Sequence, residues 1–243
     1  MKMLVSDYDG TFANSIENIK LNGKAVYDFI KQGNIFVLSS GRSYSALTKM
    51  VRLDDIPYTF LACSDGDYLF DSSGEILLSH RIGNDVIDRI AELAKIKVYD
   101  RLEYSYEREY STVFRPNENL SGVSFVVNNL NISSAFITKF EKLKKEHSEY
   151  DYCCYGYNGT SYFVVKDKGV SKSSPILYLQ DKLQVPTSEV FTVGDELNDL
   201  EMISDYNGFM IGDNETLRKS ALGNYEAVHY LVDDIIKGRV KRR

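Results

Sequence analysis

No run of about 18 apolar residues occurs in this chain, so no membrane-spanning helix is expected. The stretch from Met1 to Asp9 has no apolar signal core and already carries two acids. Cysteine is scarce: Cys63, Cys153 and Cys154 are the three. An odd count with two adjacent members makes a poor disulfide framework. Neighbouring strand residues point to opposite faces, so Cys153 and Cys154 are not expected to act together. A cytoplasmic location is the simpler expectation. Positive charge is also short, with 29 Lys and Arg against 35 Asp and Glu and a net charge of -6. A nucleic-acid binder usually carries a basic stripe to neutralise phosphates. Here the only basic cluster is at the C-terminal end, Lys237, Arg239, Lys241, Arg242 and Arg243. It reads as a frayed helix end whose cations suit the helix dipole. No nucleic-acid or membrane partner is expected. Long polar tracts, low-complexity segments and internal repeats are absent too, which argues against disorder and repeat architectures.

What remains is an ordinary globular balance, 43% hydrophobic and 26% charged over 243 residues. That length fits one large domain, or a core with a modest insertion. Residues 3–5 read as a buried strand entering the turn Ser6-Asp7-Tyr8-Asp9-Gly10. Residues 21–31 have helical spacing and Gly33 just beyond. A strand follows at 35–38, a helix at 44–51, a strand at 58–63, and a hairpin around Asp71-Ser72-Ser73-Gly74. The alternation resumes late in the chain. Helix 171–182, strand 190–193, helix 197–204, strand 208–211, helix 215–221, a strand ending at 227–228 and a helix from 233 are expected there. Such alternation implies an α/β fold: a doubly wound, mainly parallel Rossmann-like sheet. The middle differs. A helix at 84–96, a strand at 122–128, a helix at 135–146 and a hairpin across Asn158-Gly159 make an α+β unit. The expected division is a core of residues 1–81 and 168–243 with an inserted cap at 82–167, hinged near Gly83 and Gly169.

Polar clusters fall just after the predicted core strands. In a doubly wound sheet those carboxyl ends line the ligand crevice. Asp7 and Asp9, then Ser40, Gly41 and Arg42, then Asp65, and later Asp195, Asn198 and Asp199 lie there, with Lys172 opening a helix. Converging carboxylates repel one another, and a hard divalent cation relieves the repulsion. Oxygen ligands without nearby His or Cys favour magnesium over zinc. A lysine, a serine and glycine-rich turns suit a phosphate. Together they imply phosphoryl transfer. Each cluster alone has an ordinary reading: Asp9-Gly10 a turn, Ser40 and Asp195 helix caps, Lys172 a solvated lysine. Their order and their common position after strands favour the chemical reading.

The motifs resemble the haloacid dehalogenase superfamily, in particular its Cof-like sugar-phosphatase branch. Asp7-Tyr8-Asp9-Gly10-Thr11 matches the first motif and Ser40-Gly41-Arg42 the second. Lys172 matches the third, and Gly194-Asp195-Glu196-Leu197-Asn198-Asp199 the fourth. The resemblance spans the whole chain, with the cap between the second and third motifs. It implies a phosphatase acting on a small soluble metabolite with magnesium as cofactor. Asp7 would be the nucleophile, and Asp9 would protonate the leaving oxygen and then activate water. Asp7, Asp195 and the backbone carbonyl of Asp9 would hold magnesium. Ser40, Gly41, Lys172 and Asn198 would hold the phosphoryl group. Asp199 would orient Lys172 or a metal-bound water. Arg42 and Asp65 are candidate substrate contacts. Where the family often has Asn-Gly, this chain has Asp65-Gly66, followed by Asp67, either a tighter turn or altered recognition of the leaving group. A sugar or sugar-alcohol monophosphate is the expected substrate, with cap tyrosines as cap core or polyol contacts. A phosphomutase is the alternative, and a monomer and a dimer are both compatible with the sequence.

Overall fold

Every residue of Met3–Asp7 (β1) is buried, as a strand covered on both faces requires. Leu4 joins one apolar cluster, with Phe29, Phe36, Leu38 and Leu231. Met3 and Val5 join another, with Val37, Ile176, Leu179 and Met202. Successive strand residues face opposite ways, so the continuous apolar run of β1 feeds both layers. The computed structural model describes residues 1–94, 99–115, 118–128, 134–157 and 159–243. After β1 come Ile16–Lys31 (α1), Ile35–Ser39 (β2), Tyr44–Leu53 (α2), Phe60–Cys63 (β3), Tyr68–Asp71 (β4) and Ile76–Ser79 (β5). Later come Asn84–Ala94 (α3), Arg101–Tyr106 (β6), Tyr110–Ser111 (β7), Leu120–Asn128 (β8), Ser134–Glu146 (α4), Tyr150–Tyr157 (β9) and Thr160–Asp167 (β10). The chain ends with Ser173–Leu183 (α5), Val190–Gly194 (β11), Leu200–Asp205 (α6), Asn207–Ile211 (β12), Glu215–Arg218 (α7), Asn224–Tyr225 (β13) and Val228–Ile236 (α8).

One sheet runs β13-β12-β11-β1-β2-β3-β4-β5. Its pairings from β13 to β3 are parallel, and β4 turns back antiparallel on β3. The expected doubly wound α/β core is therefore what forms. Strand order reverses at β1, between β2 and β11, and a crevice outside such a switch point is where ligands bind in this architecture. The second sheet, β7-β6-β8-β10-β9, is antiparallel. Two compact units result, residues 1–78 with 171–243, and residues 79–170. The smaller unit has its own core of Phe125, Phe136, Phe140, Phe163 and Tyr106. Tyr104, Tyr150 and Tyr152 pack against that core.

Several expected boundaries differ. Ser15 caps α1, accepting from the Asn18 N–H at 3.1 Å, a contact worth about 1 kcal/mol. The helix therefore starts before its apolar spacing does, because Ile16 is exposed. Strands β6 and β7 were not expected. The helix expected over 197–204 is a short 3-10 turn followed by α6, and α7 stops at Arg218. Residues 227–228 do not end a strand: Val228, Leu231, Val232 and Ile235 form the buried stripe of α8. The basic end is docked rather than frayed. Arg243 donates to the carbonyls of Tyr206 at 2.6 Å and Ile203 at 2.9 Å, and Arg242 pairs with Glu189. These cations are matched within the fold. All three cysteines are free thiols. Asn158 and the end of the expected 84–96 helix lie outside the described residues.

Gly208 in β12 lies against the end of α6. A β-carbon there would stand 2.0 Å from the Ile203 carbonyl oxygen, a backbone atom that cannot swing aside. Gly208→Ala is expected to cost about 3 kcal/mol in chemical denaturation, and a loss under about 0.5 kcal/mol would contradict this packing.

Candidate active site

The sheet delivers Asp7 as the last residue of β1, buried to 4% exposure. The turn that follows doubles back, with the Phe12 N–H donating to the Asp7 carbonyl at 3.2 Å. Gly10 takes φ +81°, and a β-carbon there would stand 2.2 Å from Asp195 Oδ2. Glycine is therefore what lets the first motif lie against the fourth. Gly194, at the end of β11, meets the same limit 2.3 Å from Asp199 Cγ. The Asp9-Gly10 turn is thus more than a change of direction.

Lys172 caps the start of α5 and is 1% exposed. Its ammonium donates to Asp7 Oδ1 at 2.6 Å and Asp199 Oδ1 at 2.7 Å, and lies 4.0 Å from Asp65 Oδ1. Asp199 Oδ2 accepts from the backbone N–H groups of Asp195 at 3.0 Å and Glu196 at 3.1 Å. Burial alone would push the ammonium down, but Asp199, Asp7 and Asp65 outweigh it and hold Lys172 well above its ordinary value. Burial pushes the Asp7 carboxyl up. Lys172 opposes that, while Asp199 and Asp195 reinforce it.

Asp7, Asp195 and Asp199 each offer a carboxylate oxygen, all within 4.8 Å of one another. Both oxygens of Asp199 are already engaged. Asp195 Oδ1 accepts from Thr11 Oγ1 at 2.5 Å. Asp7 Oδ2 is buried and has no hydrogen-bond partner among the described residues. Such an atom loses its hydration with nothing in exchange. A hard cation held by oxygen ligands would fit it and would offset the mutual repulsion of the carboxylates. The residues present therefore fit a magnesium ion. A cavity of about 420 Å³ opens beside Asp195, lined also by Glu196, Asp213, Asn214 and Glu215.

Ser40, Gly41 and Arg42 lie in the turn after β2 and Asp65 in the turn after β3, while Asp9 follows β1 and Asn198 follows β11. Arg42 Nε and Nη2 clasp the two oxygens of Asp9 at 2.8 and 2.7 Å, a bidentate pair. The Arg42 guanidinium also stands 5.7 Å from the Tyr8 ring centroid. Ser40 Oγ lies 3.4 Å from Asp9 Oδ2 and accepts from the Arg42 N–H at 3.1 Å. Asp65 Oδ1 accepts from Asn198 Nδ2 at 2.9 Å. Asp65 Oδ2 lies 3.1 Å from where a Gly41 β-carbon would stand. The two turns are laced together, Asp65 N–H to the Ser40 carbonyl at 3.1 Å and Ser64 N–H to the Arg42 carbonyl at 2.9 Å.

Asp7, Lys172, Asp199, Asp195, Asp65, Asn198, Gly41, Ser40, Arg42 and Asp9 therefore form one connected network. The Asp9 carboxylate stands apart from the carboxylate cluster, exposed and held by Arg42. Asp67, expected beside Asp65 at the crevice, is buried instead. Two contacts were not foreseen. Thr11 was inside the first motif without a role. Asn214, whose Nδ2 donates to the Asp195 carbonyl at 3.3 Å, lies after β12, where the same strand-end logic would have found it.

Asp195 supplies a test of this electrostatic picture. Burial raises its carboxyl, Thr11 opposes the rise, and Asp199 and Glu196 reinforce it. A carboxyl raised on folding binds its proton more tightly in the native state. Its contribution to stability is present below the ordinary value of 3.8 and is lost as pH rises through the raised native value. With a chelator present, Asp195→Asn is expected to melt above the native chain in mildly alkaline buffer, with the gain vanishing in acid. An equal gain at all pH values would show that the charge on Asp195 is not what matters.

Comparison with known proteins bears on the fold and the family. A protein of Buchnera aphidicola, provisionally assigned as a phosphatase, is 22% identical over 93% of this chain and 92% of its own. A phosphatase of the haloalkanoate superfamily from Bacteroides thetaiotaomicron superposes with a TM-score of 0.76 at 17% identity, covering 97% of this chain and 95% of that one. A subclass IIB sugar phosphatase of the same superfamily superposes at 0.73 with 15% identity, covering 99% and 100%. At these identities the likeness of the solved structures shows the fold. Residues 4–223 match the sequence model of the haloacid dehalogenase-like hydrolases, and the chain belongs to that family.

Proposed function

We propose that this hydrolase is a magnesium-dependent phosphatase acting on a small phosphorylated metabolite through a covalent phosphoryl-Asp7. One observation carries the reading. Asp7 is buried with one oxygen held by Lys172 and the other left without a partner beside Asp195. A carboxylate so placed is oriented and desolvated on one side and open to a reacting group or cation on the other.

Asp7, Asp195 and the Asp9 carbonyl would hold the magnesium, which when bound neutralises charge on the transferring phosphoryl group. Asp7 forms a bond from its carboxylate oxygen to phosphorus while the bond from phosphorus to the ester oxygen breaks. Protonated Asp9 gives its proton to that leaving oxygen. Water then attacks phosphorus, Asp9 takes its proton, and the bond to Asp7 breaks to release inorganic phosphate. To serve either step, Asp9 must open its fork with Arg42. Lys172 keeps Asp7 oriented throughout, and Asp199 keeps Lys172 oriented. Ser40, Gly41, Lys172 and Asn198 would hold the phosphoryl oxygens.

A sugar or sugar-alcohol monophosphate is the proposed substrate class. The resemblance to the Cof-like branch supports it, as does the named activity of the subclass IIB relative. The described cap tyrosines give less support, because Tyr104, Tyr106 and Tyr152 serve the core of their own unit.

Asp7→Asn is expected to lower turnover of an aryl phosphate by a factor on the order of 10⁴ or more, with an unchanged circular dichroism spectrum. Near-normal turnover would refute the covalent route. Chelation is expected to abolish activity and magnesium to restore it. Calcium, which prefers more ligands and looser geometry, should restore little. Full activity in excess chelator would rule out the metal. Release of free phosphate rather than an isomerised sugar phosphate separates this reading from a mutase.

A further inference from the structure

The turn Ser64-Asp65-Gly66 holds three successive residues at positive φ, 54°, 52° and 98°. At Gly66 the absence of a side chain is a necessity of packing, because a β-carbon there would fall 1.9 Å from the Ser171 carbonyl oxygen. That contact sets the turn against the start of α5 and so brings Asp65 to Lys172. For Ser64 the left-handed region is strained, and for Asp65 it is tolerated more readily. Such strain persists where the surroundings over-determine it. Here the backbone bonds from Ser64 to Arg42 and from Asp65 to Ser40 do so.

The strained turn places one carboxylate against the proposed phosphate cradle. Asp65 Oδ1 takes the Asn198 amide at 2.9 Å and lies 4.0 Å from the Lys172 ammonium. Asp65 Oδ2 lies 3.1 Å from where a Gly41 β-carbon would stand. These groups are the ones assigned to the phosphoryl oxygens. Asparagine also tolerates the left-handed conformation. It would accept from Asn198 through its own carbonyl oxygen. Neither the backbone nor that hydrogen bond therefore explains an acid at this position. What aspartate adds is charge.

We propose that Asp65 is an internal anion that competes with phosphate for the cradle, weakening the hold on inorganic phosphate and favouring its release. The inference rests on the phosphatase reading. A phosphate reaching Asn198 and Lys172 must displace the Asp65 carboxylate or bind beside it. Lys172 offsets only part of the repulsion, since Asp7 and Asp199 share its charge. Asp65 thus sets the affinity of the cradle for phosphate, and the sequence departure from Asn-Gly to Asp-Gly is its signature.

The test is inorganic phosphate titrated into the full-length native protein, Asp65→Asn and Asp65→Ala, with magnesium chloride present. Affinity is read by calorimetry and by inhibition of aryl phosphate hydrolysis. Asp65→Asn is expected to bind phosphate about tenfold or more tightly than the native chain. Asp65→Ala is expected to shift the same way despite losing the bond to Asn198. Equal affinity in native protein and Asp65→Asn overturns the inference while leaving the phosphatase reading intact, provided aryl phosphate is turned over. Weaker binding in both variants overturns it too, because Asp65 would then only orient Asn198. If the native chain neither binds phosphate nor hydrolyses the aryl ester, the phosphatase reading fails and the inference falls with it.

Discussion

A single buried ammonium organises this molecule. Lys172 is almost fully enclosed and bonds to carboxylates from the ends of β1 and the segment after β11. Neither Asp7 nor Asp199 could be buried so deeply without it, since the desolvation of an isolated carboxylate costs several kcal/mol. Lys172 is in turn fixed by its place at the start of α5, which Gly66 draws against the turn after β3. One ion triad therefore ties together segments more than 160 residues apart in sequence, the separation between Lys172 and Asp7 being 165. It sits at the switch point of the sheet, where strand order already opens a crevice.

The glycines of the motifs make this approach possible. Gly10 and Gly194 each leave less than 2.5 Å for a β-carbon beside Asp195 or Asp199. Acidic turns are thus packed side by side at distances no other residue allows. Burial first, and their mutual repulsion after it, raise the free energy of the carboxylates, in keeping with the upward shifts of Asp7 and Asp195. One ammonium against three carboxylates leaves two formal negative charges in the cluster, which is what a divalent cation neutralises. The site is stable enough to form because Lys172 and the backbone N–H groups on Asp199 offset part of the repulsion.

Much of this was legible in the sequence. Chemically specialised residues placed after apolar strands can be located without coordinates, because the sheet must bring strand ends to one edge. Asp7, Ser40, Asp65 and Asp195 were found that way. The apolar runs of β1, β2 and β11 were equally plain, since burial on both faces leaves a continuous signal. What the sequence hid had physical reasons. The first turn of α1 carries an exposed Ile16, so its apolar period begins late. β6 alternates Leu102, Tyr104 and Tyr106 with polar residues, a short signal among many tyrosines. Val228 looked like a strand end because two apolar neighbours fit either period, and only Leu231, Val232 and Ile235 settle it as helix. The docking of Arg242 and Arg243 depends on carbonyls and a carboxylate far away in sequence, which no local pattern reveals.

The pairing of Asp9 with Arg42 is the step that sequence could least supply. Motif logic assigns Asp9 a proton-transfer role and Arg42 a substrate contact, as though each acted alone. The structure joins them in a bidentate fork, partly exposed and separate from the carboxylate cluster. The proposed chemistry needs Asp9 released from this fork. An arriving ligand that engages Arg42 would then free Asp9, and one that does not would leave Asp9 tied. The same turn after β2 also binds the strained turn at Ser64 and Asp65 through backbone bonds. Ser40 and Arg42 on the one turn and Asp65 on the other are therefore fixed to each other, and Asp9, on the turn after β1, is tied to them through Arg42. A shift of either turn would therefore move Asp65 relative to Ser40 and Arg42, and through Arg42 would reach Asp9.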